Sequence, residues 1–146
     1  MTIHLGITGT RIGMNEEQKS KLITVIETLL FNKEHHERVF HHGQCIGVDV
    51  EAAILLKNKF GFTIVSHPPI KEELIGVCEN DSVEPAKDYF ARNRDIVNSC
   101  DLLLVIPREN TPQKYGGTWY THDYALKQKK PIILLTPNGV IGIKNK

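Results

Sequence analysis

The 146-residue sequence lacks an excess of charge of either sign: 18 lysines and arginines stand against 17 aspartates and glutamates, a formal net charge of +1. Such a chain has no general attraction for nucleic acid or for an acidic membrane, and we expect neither as a partner. It also lacks long hydrophobic runs, since no stretch approaches the about 18 apolar residues of a transmembrane helix. The first residues, MTIHLGITGT, lack the basic and long apolar regions of a secretory signal. We therefore expect a cytoplasmic protein.

Cysteine is scarce, with three residues widely spaced along the chain, Cys45, Cys78 and Cys100. An odd number at this spacing predicts neither a disulfide framework nor a zinc site, and buried thiols are the simpler interpretation. The adjacent His41 and His42 do not change this, because neighbouring side chains on a strand point to opposite faces. We predict no metal site, and no motif indicates a resident cofactor.

The sequence does contain an alternation of short apolar runs with segments of helical periodicity. One such helix begins at Asn15, which can cap it together with Gln18 three residues on. The segment 68–85 has the weakest pattern, and we expect a long excursion over a ligand-binding edge there. Five apolar runs have the length of buried strands: IHLGIT (3–8), RVFHHG (38–43), FTIVSH (62–67), DLLLVIP (101–107) and PIILLTP (131–137).

This alternation predicts a three-layer, Rossmann-like α/β fold over a single domain, residues 1–146. Its central parallel sheet has about five strands, with helices on both faces and right-handed crossovers. Ligands of such sheets bind beyond the carboxyl ends of the strands, where the strand order reverses. We expect the first and fourth predicted strands to be central neighbours, so that TGTR (8–11) faces RENTPQKYGGT (108–118) across a crevice.

Two motifs in the first half of the chain suit an anion, and each also has a purely structural interpretation. TGTR offers backbone N–H groups, two hydroxyls and a guanidinium at the end of a strand, but glycine turns are common without a ligand. In HHGQCIGVDVEAA (41–53), Gly43 ends a strand and Asp49 opens a helix. That carboxylate either contacts a ligand or only complements the helix dipole.

Two further motifs lie in the second half. ARNRDIVNSCD (91–101) carries Arg92, Asn93 and Arg94 on or just before a helix, where single arginines are usually solvated. GGT (116–118) opens a helix after the fourth predicted strand, so unpaired N–H groups and the positive dipole end face the crevice. A tight turn explains one glycine, but it explains less well two glycines and a threonine with an arginine pair upstream. Together the four motifs predict a phosphate-binding crevice.

Their order and spacing resemble the SLOG superfamily of Rossmann-like nucleotide-binding domains, which includes the LONELY GUY phosphoribohydrolases and the central domain of the DNA-processing protein A. The family pattern is G(S/T)R, then GGAxGAD, then RN before an aDxLL strand, then GGT and a helix that carries alanine. Here these are TGTR, HGQCIGVDVEAA, ARNRDIVNSCDLLLV and GGTWYTHDYA. The match spans about residues 2–137.

The resemblance implies a nucleotide or nucleotide derivative as ligand, with its phosphate near the two glycine loops. It implies ligand contacts from residues of all four motifs: Gly9, Thr10, Arg11, Gly43, Asp49, Arg92, Asn93, Gly116, Gly117 and Thr118. Thr8 in the first motif and Thr121 in the last complete the predicted ligand-binding set.

The chain departs from the family where catalysis is concerned. Relatives that cleave glycosidic bonds carry a glutamate three positions after GT, and that position here is Thr121. A hydroxyl cannot stabilise a ribosyl cation or activate water as a carboxylate does. Asp123 follows two residues later, about 200° further round the helix, and should face elsewhere. We therefore prefer a binding or sensing protein to an enzyme.

Two alternatives stay open. A nucleoside-monophosphate N-glycosidase or a deoxyribosyltransferase-like enzyme would need a carboxylate from Asp49, from Glu109 or from a partner subunit. A nucleic-acid accessory module has weaker support, because the lysines at 127, 129 and 130 form only a small cluster.

Three aromatic residues early in the last helix, Trp119, Tyr120 and Tyr124, fit three roles. They suit a wall on which a base stacks, a patch between the subunits of a homo-oligomer, or ordinary core packing. The oligomeric state stays open for the same reason.

Overall fold

The computed structural model describes residues 1–31, 37–71 and 73–144. These residues form four α-helices and seven β-strands in the order β1 (Thr2–Gly9), α1 (Glu16–Leu30), β2 (Glu37–His42), α2 (Val48–Phe60), β3 (Thr63–Ser66), β4 (Ser82–Val83), α3 (Tyr89–Ser99), β5 (Leu102–Ile106), α4 (Gly117–Lys127), β6 (Ile132–Leu135) and β7 (Ile141–Lys144).

All seven strands belong to one sheet with the order β4-β3-β2-β1-β5-β6-β7. The pairings are parallel except that of β6 with β7, which is antiparallel. At the centre, β1 pairs with β2 on one side and with β5 on the other, where Gly9 lies opposite Ile106. The predicted Rossmann-like fold is confirmed, as is the adjacency of the first and fourth predicted strands.

The sheet has two strands more than the five predicted, and both lie at its edges. β4 is only two residues long and falls in the segment of weakest pattern, so it is too short to show a hydrophobic period. β7 falls in the tail after the last predicted strand and is half exposed, with an alternating burial pattern. An edge strand buries one face at most, which explains why no continuous apolar run marks it.

Hydrophobic cores lie on both faces of the sheet, because successive strand side chains point to opposite sides. On β5, Leu104 and Ile106 pack against α1 and α2, whereas Leu103 and Val105 pack against α3 and α4. The two layers of helices therefore enclose a nearly continuous apolar strand, as the sequence predicts for DLLLVIP.

The predicted cap of α1 is present and is tied to the carboxyl edge of the sheet. The Asn15 side chain accepts a hydrogen bond from the Gln18 backbone N–H at 2.8 Å, and the Gln18 side chain accepts one from the Asn15 N–H at 3.1 Å. The Gln18 amide also donates to the carbonyls of Pro107 (2.7 Å) and Leu135 (3.1 Å). These bonds join the start of α1 to the ends of β5 and β6.

The segment between β3 and α3 runs beside the carboxyl end of β2; its residue 72 lies outside the described ranges. Ile46 N–H donates to the Leu74 carbonyl at 2.9 Å, and Gly76 N–H donates to the Gln44 carbonyl at 2.8 Å. The excursion therefore lies at the edge where the sequence predicts it. None of the helices in the described ranges has the length and apolar character needed to cross a membrane.

Candidate functional site

A cavity of about 540 Å³ lies at the carboxyl ends of β1 and β5, between the starts of α3 and α4. Its volume is in the range of about 300 to 1,000 Å³ that is usual for small-molecule sites. The cavity is where the strand order reverses, as expected for a ligand site in an open parallel sheet.

Residues from all four predicted motifs line this cavity. They are Thr8, Gly9, Thr10, Arg11, Asp49, Arg92, Asn93, Gly116, Gly117 and Thr118, together with the candidate carboxylate Glu109. Gly43 and Thr121 are the two members of the predicted set that are not part of its lining. That these residues bind a ligand stays a prediction.

The TGTR loop folds tightly against the start of α2. The Thr10 N–H donates to the Ile106 carbonyl at 3.0 Å, and the Thr10 carbonyl accepts from the Val48 N–H at 3.1 Å. A side chain at Gly9 would place its Cβ 2.4 Å from Val48 Cγ1, so glycine is needed here for packing. Arg11, in contrast, is exposed, and its guanidinium lies 5.8 Å from the centroid of the Tyr89 ring. The loop thus presents a cation at the mouth of the cavity.

Arg92 is only 4% exposed and donates most of its hydrogen bonds to the protein itself. Its acceptors are the carbonyls of Gly43 (2.5 Å) and His67 (3.1 Å), the Asn93 side-chain oxygen (2.5 Å) and Cys45 Sγ (3.2 Å). An arginine has five N–H groups, so at most one is left for a ligand. Arg92 therefore joins the ends of β2 and β3 to α3, and its charge lies beneath the cavity.

Asp49 is buried as well and holds the turn that follows β2. Its carboxylate accepts from the N–H groups of Gly43 (2.8 Å) and Cys45 (3.5 Å). Burial raises the pKa of Asp49, against the opposing effect of the neighbouring His42 and Arg92. A Cβ at Gly43 would lie 2.6 Å from Arg92 Nη1 and 2.9 Å from Asp49 Oδ2. The two charged groups thus enclose Gly43, which gives this glycine a packing role.

The start of α4 differs, because its backbone is open to the cavity. The N-cap Gly116 has φ of 109°, and no side chain among the described residues caps the helix. The first intrahelical bond runs from the Tyr120 N–H to the Gly116 carbonyl, at 2.9 Å. The N–H groups of the three preceding residues come before that bond, at the positive end of the helix dipole. These residues, Gly117, Thr118 and Trp119, all line the cavity.

The two candidate carboxylates differ in accessibility. The Trp119 indole N–H donates to Glu109 Oε1 at 2.9 Å, and Arg108 Nε lies 3.5 Å from Glu109 Oε2. The Glu109 side chain remains 35% exposed, whereas Asp49 is 5% exposed and is held by backbone N–H groups. Of the two, Glu109 is the carboxylate that a ligand in the cavity can reach.

Thr121 occupies the position of the family glutamate and is fully buried. Its hydroxyl donates to the Gly117 carbonyl of the preceding turn at 2.8 Å. Trp119 beside it is also buried, in the core between α3, α4 and the sheet. Of the three roles considered for the aromatic residues, core packing holds for Trp119.

The cavity lining also includes Tyr89, Phe90, Arg108 and Tyr115, which lie outside the predicted ligand-binding set, although Arg108 and Tyr115 belong to the segment 108–118 predicted to face the crevice. Tyr89 and Phe90 fit helical periodicity and so resemble core residues. Asp88 is the sequence feature that could have indicated the position of Tyr89. Its side chain accepts from the Ala91 N–H at 2.8 Å and caps α3. A cap at this position places Tyr89 in the first turn, at the edge where ligands bind.

A row of three histidines lies on the α3 side of the sheet, with His4 on β1, His41 on β2 and His67 directly after β3. His4 Nδ1 lies 3.0 Å from His41 Nε2, and His41 Nδ1 lies 2.9 Å from His67 Nε2. Burial lowers the pKa of His41 to about 4 and also lowers the pKa of His67. His42 points to the opposite face and lies 2.7 Å from Asn80 Oδ1. Within the described ranges, no group of three or more histidine, cysteine or acidic residues could hold a metal ion.

No family model and no curated protein matches the chain. Two solved structures share its fold. A molybdenum cofactor binding protein from the phototrophic bacterium Rippkaea orientalis has a TM-score of 0.66 at 20% identity, covering 93% of this chain and 77% of that chain. The X-ray structure of TM1055, a structural genomics target, has a TM-score of 0.57 at 18% identity, covering 91% and 74%. These likenesses establish the Rossmann-like class of the fold.

Proposed function

We propose that this chain binds a phosphate-bearing small molecule, a nucleotide or a nucleotide-derived signal, in the cavity at the carboxyl edge of the sheet. It acts as a binding or sensing protein of the SLOG type. The observation that supports this most is Gly117. It does not have a positive φ, and an added Cβ would meet no atom of the described residues within 4 Å, so packing within that part of the chain does not require glycine there. A ligand that closely approaches the backbone explains it.

The charges around the cavity also favour an anion. Arg11, Arg92 and Arg108 contribute positive charge, and Glu109 is the accessible carboxylate. Burial shifts Asp49 towards its neutral form by raising its pKa. A phosphate at the start of α4 would accept hydrogen bonds from free N–H groups and face these cations. Arg92 contributes chiefly its charge, because most of its N–H groups have acceptors within the protein.

The class of ligand rests on two kinds of support. The order of the motifs resembles nucleotide-binding domains. One structural neighbour is described as a molybdenum cofactor binding protein, so a cofactor of that kind is a second candidate for the same cavity. Both candidates require the same arrangement of free N–H groups and cations.

An enzyme that cleaves a glycosidic bond is the second candidate function, and Glu109 supports it. This carboxylate lines the cavity, and the Trp119 indole holds one of its oxygens at 2.9 Å. Release of free base from a nucleoside monophosphate, abolished by Glu109→Gln, would establish such an activity. If free base is released only at the uncatalysed rate, this activity is absent and ligand binding stands as the function.

The proposal is tested by calorimetry and thermal shift with nucleotides, cyclic dinucleotides, NAD derivatives and pyrophosphate. Arg11→Ala should bind these compounds about tenfold or more weakly than the parent does, because a charge-assisted hydrogen bond contributes roughly 1.5 to 3 kcal/mol. Lys59→Ala is the matched control, because Lys59 lies in the last turn of α2, away from the cavity lining. Equal losses of affinity in Arg11→Ala and Lys59→Ala would show that the change in net charge, and not a contact of Arg11, causes the effect. No binding by any phosphate compound would refute the proposal.

A further inference from the structure

A second cavity, of about 430 Å³, lies directly beside the first. The two cavities share four residues of their walls: Phe90, Tyr115, Gly116 and Gly117. The further wall of the second cavity comes from Lys114 and from one face of α4. That face has the spacing i, i+3, i+4 and i+7 and consists of Tyr120, Asp123, Tyr124 and Lys127.

The two glycines form a low partition between the cavities. Within the described ranges, a Cβ at Gly116 or at Gly117 would meet no atom within 4 Å, so a side chain at either position would project away from these parts of the protein. Gly116 needs to be glycine for its positive φ of 109°, but Gly117 does not have a positive φ. The absence of a side chain at Gly117 keeps the passage between the cavities open. One ligand can therefore occupy both.

Four aromatic residues line the second cavity, and Phe90, Tyr120 and Tyr124 among them have contacts that hold their rings. The ring centroids of Phe90 and Tyr120 are 4.3 Å apart. Arg94 Nη1 donates to the Tyr120 hydroxyl at 2.9 Å, and the Tyr124 hydroxyl donates to Asn98 Oδ1 at 3.1 Å. Fixed aromatic faces are the surfaces on which planar heterocycles stack. The cavity suits the ring of a ligand better than its phosphate.

The polar groups of this cavity narrow the choice of ring. Asp123 and Lys127 are four residues apart on the same face of α4, and Lys114 lies on the loop before it. Asp123 Oδ1 lies 2.9 Å from His122 Nδ1, and the Asp123 side chain remains 59% exposed, so a ligand can still reach the carboxylate. A carboxylate accepts from a ring N–H and an exocyclic amino group, whereas an ammonium donates to an oxo group. The 2-amino-4-oxo pyrimidine edge of guanine and of pterins offers both. Adenine offers no oxo group.

We infer that the second cavity binds the planar ring of the ligand whose phosphate occupies the first, and that this ring carries a 2-amino-4-oxo edge. The inference rests on the proposed function and adds the ligand's chemical class. The lysines and the aspartate in the cleft favour a polar heterocycle over the apolar surface of a second copy of this chain.

The test compares GMP, AMP and ribose 5-phosphate by calorimetry. GMP should bind at least about tenfold more tightly than ribose 5-phosphate, the gain typical of stacking one base. Tyr124→Leu should weaken GMP about tenfold, while Tyr124→Phe, which keeps the ring and loses only the bond to Asn98, should retain the affinity. Asp123→Asn should reduce the preference for GMP over AMP. Melting temperatures of the variants establish that each is folded.

Four results overturn the inference, and they differ from failure of the proposed function. Equal affinities of the parent for GMP and AMP would exclude recognition of the 2-amino-4-oxo edge. Equal affinities for GMP and ribose 5-phosphate would leave a phosphate site without a ring site. Equal losses of GMP affinity in Tyr124→Leu and Tyr124→Phe would show that the hydrogen bond to Asn98, and not stacking on the ring, causes the effect. If sedimentation shows that the parent is a dimer and that Tyr124→Leu is a monomer, the second cavity is a contact with a second copy of the chain. If neither GMP nor ribose 5-phosphate binds at millimolar concentration, the proposed function fails for these phosphates and the inference fails with it.

Discussion

Helices α2 and α4 begin in the same way but in opposite surroundings. Each follows a strand and has a glycine with positive φ as its N-cap, Gly47 at 89° and Gly116 at 109°. A Cβ at Gly47 would lie 2.5 Å from the carbonyl oxygens of both Thr10 and Arg11, whereas a Cβ at Gly116 would meet no atom of the residues that the structure describes within 4 Å. The same local pattern therefore closes against the protein at α2 and opens to a cavity at α4. A glycine-rich helix start indicates a ligand only when nothing in the protein occupies the space before it.

The largest expected effect is on folding at the closed start. Gly47→Ala should lower the free energy of unfolding by about 4 kcal/mol, because it combines a strained positive φ with overlap against backbone atoms that cannot move away. Gly117→Ala should change it by less than about 1 kcal/mol, in either direction. Urea denaturation of the two variants measures the difference. Similar losses would remove the distinction between the two helix starts.

The next effect concerns the two arginines that the sequence places in ligand motifs. Arg92→Ala should lower the free energy of unfolding by about 3 kcal/mol, because it leaves the buried carbonyls of Gly43 and His67 without donors. Arg92→Lys should recover part of the loss, since it keeps the charge but not the planar set of donors. Arg11→Ala should have almost no effect on stability. A larger loss of stability in Arg11→Ala than in Arg92→Ala would contradict the structural role of Arg92.

Acid should lower the free energy of unfolding, because burial disfavours the protonated form of His41 in the folded chain and lowers its pKa. The pKa of His41 is lowered from 6.5 to about 4, so between these values the unfolded chain binds a proton that the folded chain does not. Stability should thus be unaffected above about pH 6.5 and fall as the pH drops towards 4. Each unit by which the pKa is lowered corresponds to about 1.4 kcal/mol. Because His4, at one end of the histidine row, is only partly buried, we expect the free energy of unfolding to fall by about 2 kcal/mol. Denaturation of His41→Gln over the same range should give a flatter profile; identical profiles would exclude His41 as the cause.

The smallest expected effect concerns the open start alone. Gly117→Ala should weaken binding of phosphate ligands by about tenfold, or roughly 1.4 kcal/mol, because the new methyl group obstructs close approach to the backbone. Its melting temperature without ligand should match that of the parent. Unchanged affinity in calorimetry would show that nothing approaches Gly117 closely.

Much of the fold follows from local sequence patterns. The apolar runs and helical periods indicate the five strands that carry the sheet, and Asn15 with Gln18 marks the start of α1. They also locate the cavity, because parallel strands place their carboxyl ends, and the loops that follow them, at one edge. The short edge strands β4 and β7 escape detection because two residues, or four half-exposed ones, show no hydrophobic period that distinguishes a strand from a loop.

Local sequence patterns are enough to predict the class of fold, the edge of the sheet where the cavity lies and the residue types that line it. Which of these groups are accessible to a ligand depends on contacts between distant parts of the chain. Arg11 and Arg92 are indistinguishable as motif residues, yet one is exposed and the other donates to carbonyls 49 and 25 positions away in the chain. Likewise, Asp49 is enclosed and Glu109 is accessible. Hydrogen bonds between residues distant in sequence form only when the sheet assembles. Local sequence patterns therefore cannot predict which donors and carboxylates these bonds use and which remain accessible to a ligand.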